Sequence, residues 1–483
     1  MKNFILLTDS YKINHGDMYP EGTEYVYSYF EARNGAEFPA TQLFGLQRLL
    51  KKYFKGKVIT KKMIKKAKKK LCVHFGGKEF FDDKKWTELL EDHGGKLPIE
   101  IRAVAEGAVI PNSNVLFVIV NTDPKYFWLV SHVETLLTHV WFTSTIATKG
   151  HVFKKMLNKY AEKTSMVPAE FFVPFLIHDF GFRGTSSLES AESGGLAHLV
   201  NFKGTDTLPA LWEGQKYYNA NLETLGFSVV ASEHSVATSE GEKFEEKYID
   251  RLLKFYPNGI LSMVADSYNI TRFVSEYIRK RRDAIIARYE NGTAQLNRLV
   301  IRPDSPRFKG DTPQDQVLWI YQELDDIFGH TVNDKGYKVL HPAVGVLYGD
   351  GLADHEIEEI YKTLEENEYS IENCVVGQGG GLLQKVNRDT QRFAFKCSAQ
   401  CRNGEWHTVQ KNPLDQSKAS KAGRMKLVWM TNDAGVMDYS TLTETHPLYH
   451  DHQDLLTPIF RNGKMLKEWT FDEIRKNGEL SIH

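Results

Sequence analysis

The sequence predicts an α/β fold, on three observations. Short apolar runs recur between residues 171 and 381, and each ends abruptly in glycine or charge. Amphipathic stretches of helical length lie between the runs. The runs are nearly continuous rather than alternating, as in parallel strands buried on both faces. Strand, charged terminus and helix, repeated about seven times in the 483-residue chain, reads as an α/β barrel or a doubly wound sheet.

The runs are FFVPFLIHDFG (171–181), HLVNFKGTD (198–206), GFSVVASEH (226–234), GILSMVADS (259–267), RLVIRPD (298–304), PAVGVLYGDG (342–351) and CVVGQGGG (374–381). Helical patterns occupy residues 240–256, 268–290, 313–329 and 354–367. The flanks differ. Residues 20–145 mix β-rich segments such as TEYVYSYFEA, PIEIRAVAEGAVI and NVLFVIV with helices, and the tail from about residue 400 carries short strands and turns. These flanks suit a second, α+β domain, and a chain of this length is expected to form two or three domains.

Composition narrows the class. Hydrophobic residues make up 41%, charged residues 25%, and the formal net charge is −1, so no overall pull toward nucleic acid or an anionic membrane is expected. Lysines crowd residues 51–70, where apolar residues at near-helical spacing point to a solvated helix face. The four cysteines, Cys72, Cys374, Cys397 and Cys401, form no disulfide framework, and no second pair completes a zinc-site spacing around Cys397 and Cys401. No metal site is expected. The apolar run Phe4–Leu7 is too short for a signal peptide, and Val115–Val120 is far below membrane-spanning length. A cytoplasmic enzyme with reduced thiols is the expectation.

In either α/β architecture the ligand sits at the carboxyl ends of the strands. Asp179, Arg183, Asp206, His234, Asp266, Arg302, Asp304, Asp350 and a glycine run fall there. The sequence holds no serine-elbow or P-loop motif. Residues 377–381 (GQGGG) suit close approach of backbone N–H groups to a phosphate ahead of a helix N-terminus, or a plain turn. Asp304 and Asp350 could bind ribose hydroxyls, hold magnesium through water, or cap helices. Arg183 and Arg302 suit phosphate or structural ion pairs. His234 could be a base or a phosphate acceptor.

Motifs spread along the chain resemble the type II phosphoribosyltransferases, and within them the nicotinamide phosphoribosyltransferases. They are TDSYK (8–12), YSYFEAR (27–33), GLQ (45–47), LPIEI (97–101), NTDP (121–124), HDFGFRG (178–184), AHLVNFKGTDT (197–207), EHS (233–235), DSY (266–268), IRPDS (301–305), GDG (349–351), GGGLLQK (379–385), FKCS (395–398) and FDEIRKN (471–477). The resemblance covers nearly the whole chain. It implies an irregular α/β barrel at 146–398 carrying the phosphoribosyl site. It implies an α+β domain from 26–145 completed by 399–483, and an N-terminal segment, 1–25, that joins the barrel active site. It implies conversion of nicotinamide and 5-phosphoribosyl 1-pyrophosphate to nicotinamide mononucleotide and pyrophosphate. Magnesium would accompany the pyrophosphate, and ATP would stimulate through a phosphohistidine. A homodimer would place the active sites at its interface.

The resemblance also implies roles. Phe180 and the partner's Tyr11 would sandwich the pyridine ring, and Asp206 would accept a hydrogen bond from the carboxamide. Arg183 would meet the ring substituent or the phosphate, and Ser228, Ala231 and Ser262 would line the pocket. Asp304 and Asp350, with Gly349, would meet the ribose. Arg302, Gly379 and Gly380 would contact phosphates, and Arg33, Arg388, Lys396, Lys411 and Lys418 would reach them from the partner. His234 would be the phosphorylated histidine, oriented by Asp266. Phe182 stands where vertebrate members carry tyrosine, Gln378 replaces a small residue, and the stretch after Ser305 is longer than the family pattern. A nicotinate-using enzyme and a non-catalytic binding or signalling protein on the same fold are the alternatives. Asp206 speaks against the first, since a carboxylate substrate would meet like charge.

Overall fold

The computed structural model describes residues 2–292, 297–349, 351–411, 420–431 and 435–479. The chain forms two compact units. One comprises Met1–Lys149, Gly214–Ala220 and Asn387–His483, the other Gly150–Glu213 and Asn221–Val386. The expected barrel boundary at residue 398 lies inside the strand Ala394–Arg402, which pairs with Thr23–Glu31 in the first unit's sheet. That pairing places the division at Val386 instead. The short return at 214–220 has no sequence signature, because it lies mostly within the helix Pro209–Tyr218.

The first unit is built on a seven-stranded sheet. Its order is Glu405–Thr408, Ala394–Arg402, Thr23–Glu31, Val115–Asn121, Ile99–Ala103, Thr457–Arg461, Lys464–Met465, with every neighbour antiparallel. Phe30 anchors its buried face, with ring centroids 4.8 Å from Phe117 and 5.1 Å from Phe393. The lysine-rich segment is a helix, Lys61–His74, capped by Thr60, whose hydroxyl accepts from Met63 N–H. Ile64, Ala67 and Leu71, at helical spacing, are its buried stripe, and the lysines ride on the opposite face, where Lys68 pairs with Asp83 at 3.0 Å. The solvated-face reading holds for residues 61–70, whereas Lys51 belongs to a separate helical turn, Leu50–Phe54, and pairs with Glu468 at 2.7 Å.

The second unit holds a seven-stranded sheet in the order Gly204–Thr205, Ile177–Asp179, Cys374–Gln378, Val344–Tyr348, Leu299–Arg302, Leu261–Val264, Val230–Ala231. All six pairings are parallel. An isolated parallel bridge from Gly204 to Phe227 ties the first strand to the segment leading into the last, so the sheet curls back on itself as an irregular barrel. The helices Glu245–Phe255, Arg282–Glu290, Pro313–Phe328 and Asp354–Glu366 follow successive strands. The side facing the helices is apolar, with Ile177, Met263, Ile301, Val346 and Val376 fully or almost fully buried in the core. Period-2 alternation turns the intervening residues, His178, Ser262, Val300, Arg302, Gly345 and Gly377, toward the barrel interior. Among the described residues, no helix is long and apolar enough to cross a membrane.

Candidate active site

The strand Ile177–Asp179 ends at the rim and delivers His178, Asp179 and Phe180 in succession. Phe180 lies against Gly377 so closely that a Cβ there would sit 2.4 Å from its ring. Only glycine leaves the ring this seat. His178 packs on the same ring at 4.7 Å between centroids. Its Nε2 lies 2.9 Å from Asp206 Oδ1, and the Ser228 hydroxyl donates to the same oxygen. Burial works against the charge of Asp206, but the hydrogen bonds from His178 and Ser228 outweigh it and hold the carboxyl below the usual carboxylate range. The neighbouring Asp179 is opposite in character. It is fully buried, burial pushes its pKa up, and its Oδ1 accepts from Gly181 N–H at 2.7 Å.

On the far side of the barrel His234 opens a one-turn helix, His234–Ala237, directly after Glu233. Its Nε2 is 3.1 Å from Asp266 Oδ1, and its Nδ1 is 3.8 Å from Asp304 Oδ2. The Ser305 hydroxyl donates to the other oxygen of Asp266. Arg302, at the end of its strand, donates to the carbonyl of Ser232, whose hydroxyl accepts from Val264 N–H at 3.0 Å and from Tyr248. Gly349 sits beside both groups: a Cβ on it would lie 3.3 Å from Asp304 Oδ1 and 3.7 Å from Arg302 Cδ. Asp304 does not cap the following helix, since Thr312 does so in a full capping box.

The stretch after Ser305 is folded onto that helix. Arg307 pairs with Asp311 at 3.1 Å and lies 4.6 Å over the Trp319 ring, while Gln316 Nε2 donates to Ser305 O at 2.9 Å. Gln378 is buried, and its side-chain amide donates to Asp354 Oδ1 at 3.3 Å. One expectation needs correction. The helix after the glycines, Gly380–Leu383, has only four residues, too few for a substantial dipole, so any anion affinity there rests on close backbone approach. A Cβ on Gly184 would come 2.7 Å from Gly380 Cα, so glycine there lets the Arg183 turn pack against the glycine run. Arg183, Ala231 and Ser228 are exposed, whereas Ser262 is fully buried and its hydroxyl has no hydrogen-bond partner.

The first unit carries a separate cleft of about 480 Å³ whose lining includes Asp9, Tyr11, Arg33, Glu134, Arg388 and Lys396. Its charged lining is mixed, with Arg33, Arg388, Arg392 and Lys396 against Asp9, Glu134 and Asp389. Burial, and then the nearby Arg33, Lys411 and Arg388 charges against a counter-pull from Glu134, hold Lys396 below its usual range. The Nε and Nη2 of Arg33 are buried without hydrogen-bond partners. Glu134 also binds the buried Lys12 at 3.0 Å, beneath Tyr11, which is 62% exposed. Lys411 is exposed. Asp350 and Lys418 lie outside the described residues. Sequence reasoning placed Asp179 on the rim but missed His178, Glu134 and Ser305 as members of these clusters. The HDFG and IRPDS motifs contained His178 and Ser305, but a polar residue inside or just after an apolar strand carries no periodic signal of its own.

A curled parallel sheet with carboxylates, an arginine and a glycine turn at one rim, in a chain that also carries a separate antiparallel domain, is the architecture of type II phosphoribosyltransferases. Residues 175–457 match the model of the nicotinate phosphoribosyltransferase (NAPRTase) family, and residues 3–101 match that of the nicotinamide phosphoribosyltransferase N-terminal domain. A protein from Xanthomonas campestris pv. campestris named nicotinamide phosphoribosyltransferase is 42% identical over 485 residues, covering 100% of this chain and 99% of that protein. One of the same name from Acinetobacter baylyi is 32% identical, covering 97% and 95%. The fold is shared with nicotinate-nucleotide pyrophosphorylase from Pyrococcus furiosus (TM-score 0.57, 16% identity, 99% and 95% covered). It is also shared with human nicotinic acid phosphoribosyltransferase (TM-score 0.54, 14% identity, 99% and 93% covered). The chain belongs to the nicotinamide phosphoribosyltransferase family.

Proposed function

We propose that this chain joins nicotinamide to 5-phosphoribosyl 1-pyrophosphate, yielding nicotinamide mononucleotide and pyrophosphate in NAD salvage. The observation that carries the base assignment is Asp206, a carboxylate held anionic at the rim beside Phe180. An anionic acceptor there suits a carboxamide N–H₂ and repels the carboxylate of nicotinate.

Phe180 stacks one face of the pyridine ring, and Asp206 orients it so that the ring nitrogen faces the sugar. Ser228, Ala231 and Ser262 border the pocket, and Arg183 meets the ring substituent or phosphate. Asp304, with Gly349 and Asp350, receives the ribose. Arg302, Gly379 and Gly380 hold phosphate oxygens. As the bond from C1 to pyrophosphate loosens, positive charge grows on the sugar beside Asp304 and negative charge on the departing group, and the ring nitrogen attacks C1. Magnesium is assigned to the pyrophosphate of the substrate, where it would neutralise developing charge.

The protein is proposed to be a cytoplasmic homodimer. The exposed Tyr11 and the cluster of Arg33, Arg388, Lys396 and Lys411, with Lys418, would serve the partner's rim: Tyr11 as the second face of the ring sandwich and the cations on phosphate. ATP is proposed as a stimulating co-substrate that phosphorylates His234, with Asp266 accepting from Nε2 and leaving Nδ1 to react. The test is product formation by the purified protein with phosphoribosyl pyrophosphate, magnesium and either base. Nicotinamide mononucleotide in strong excess is expected. Preference for nicotinate would overturn the base assignment, and no product from either would overturn the activity.

A further inference from the structure

Asp206 Oδ1 is doubly occupied. It accepts from His178 Nε2 at 2.9 Å and from the Ser228 hydroxyl, while no described side chain donates to Oδ2. A carboxylate oxygen with two donors has little capacity for a third, so the incoming base is directed to Oδ2. The ring that enforces this is fixed on two sides. His178 points into the barrel between Gly204 and Gly377, its register partners on the neighbouring strands. A Cβ at Gly204 would lie 2.8 Å from its Nδ1, so glycine there lets the strand close directly on the ring. On the other side the imidazole packs against Phe180 at 4.7 Å, and Phe180 is itself seated on Gly377. One side chain thus touches both elements of the base site, the carboxylate and the aromatic face.

We propose that His178 is a positioning residue that sets base specificity, donating from Nε2 to Asp206 Oδ1 so that Oδ2 alone faces the carboxamide, while its ring fixes the tilt of Phe180. It acts through these two residues and not on the base itself. The inference rests on the nicotinamide reading for its kinetic consequence, and on geometry alone for the hydrogen bond. It assigns the Nε2–H tautomer to His178 in the resting enzyme, with Asp179 and Arg302 as the other charged groups acting on this pair.

The experiment compares the full-length protein with His178→Gln, which retains an amide donor at similar reach, and His178→Phe, which retains the packing ring and removes the donor. In His178→Phe the KM for nicotinamide should rise about tenfold, the loss expected for a charge-assisted hydrogen bond. The KM for phosphoribosyl pyrophosphate should stay within about twofold, and the preference for nicotinamide over nicotinate should fall in parallel. His178→Gln should recover most of the preference. Unchanged discrimination in His178→Phe, or equal damage in the glutamine variant, would overturn the proposal. A second measurement needs neither activity nor a stable variant at 178. In ¹⁵N-histidine-labelled protein, His178 should show the Nε2–H tautomer, and its signals should shift in Asp206→Asn. An Nδ1–H tautomer, or no response to Asp206→Asn, would overturn the coupling. An unsubstituted enzyme without preference for nicotinamide would instead remove the base assignment, leaving the tautomer result to decide the role of His178.

Discussion

His234 Nε2 faces Asp266 Oδ1 at 3.1 Å, and Ser305 donates to the other oxygen of the same carboxylate. Asp266 is therefore held from both ends, and the imidazole is pinned with Nδ1 toward Asp304. Replacing Asp266 by Asn removes the fixed acceptor and lets the ring present the wrong nitrogen. Stimulation by ATP, measured against ATP-independent turnover of the same variant, should fall by at least about tenfold in Asp266→Asn. It should vanish in His234→Ala. Full stimulation in His234→Ala would reject the phosphohistidine.

Asp206→Ala removes the anionic acceptor together with its repulsion of a second carboxylate. The ratio of kcat/KM for nicotinamide to that for nicotinate should fall by about ten- to a hundredfold. An unchanged ratio would place base selection elsewhere.

Gly377→Ala puts a methyl group 2.4 Å from the Phe180 ring. The ring must move, because the strand carrying Gly377 is paired on both sides. A stability loss of about 1–3 kcal/mol is expected from overpacking, together with a raised KM for nicotinamide. Thermal denaturation and steady-state kinetics on one preparation separate the two effects.

Lys396 is half-buried among like charges, a costly arrangement unless an anion arrives to share it. Lys396→Ala should raise the KM for phosphoribosyl pyrophosphate by about tenfold or more, with little change for nicotinamide. An equal effect on both substrates would point to misfolding of the cleft.

Glu106 offers a pH test in the first unit. It is fully buried, and burial pushes its pKa up to about 7 even though it accepts hydrogen bonds from Gln47 and Gly45 N–H and from the Tyr218 hydroxyl. The folded protein therefore holds a proton here that the unfolded chain releases near its ordinary value of 4.5. Stability from this group is full below that value and is lost as pH rises to about 7, on the order of 3 kcal/mol across the window. Glu106→Gln cannot titrate and leaves one donor without an acceptor. It should be less stable than the unsubstituted protein at pH 5, with the gap narrowing toward pH 8 in denaturant melts. A gap that does not change with pH would remove Glu106 as the titrating group.

The barrel is legible in the sequence because burial on both faces makes Ile177, Met263, Ile301, Val346 and Val376 part of near-continuous apolar runs. Its closure is not, since Gly204–Thr205 and Val230–Ala231 are two residues long and no periodicity registers over so short a span. Asp266 and His234 could be placed on one rim from strand ends and their pairing was implied by the resemblance, but the support from Ser305, which belongs to a turn, could not be read. The length of the helix after the glycines was equally hidden: Gly379 to Gly381 mark a tight turn but do not say how far the helix continues. His178 reads as an ordinary strand residue until its neighbours, Gly204 and Gly377, come from segments far apart in the chain.

The short closing segment around Phe227 has a dynamic consequence. Asp206, Ser228 and Ala231 sit on the stretch of barrel wall with the fewest backbone hydrogen bonds to its neighbours, while Asp304 and Arg302 follow a strand paired on both sides. Local opening costs least where the ladder is shortest. On the proposed assignment, the side that would admit and release the flat base is thus the one expected to breathe most readily, and the side that would hold a highly charged sugar the stiff one. Amide exchange should be fastest at residues 226–231 and slowest along 299–302, a gradient of compliance running around one ring of strands.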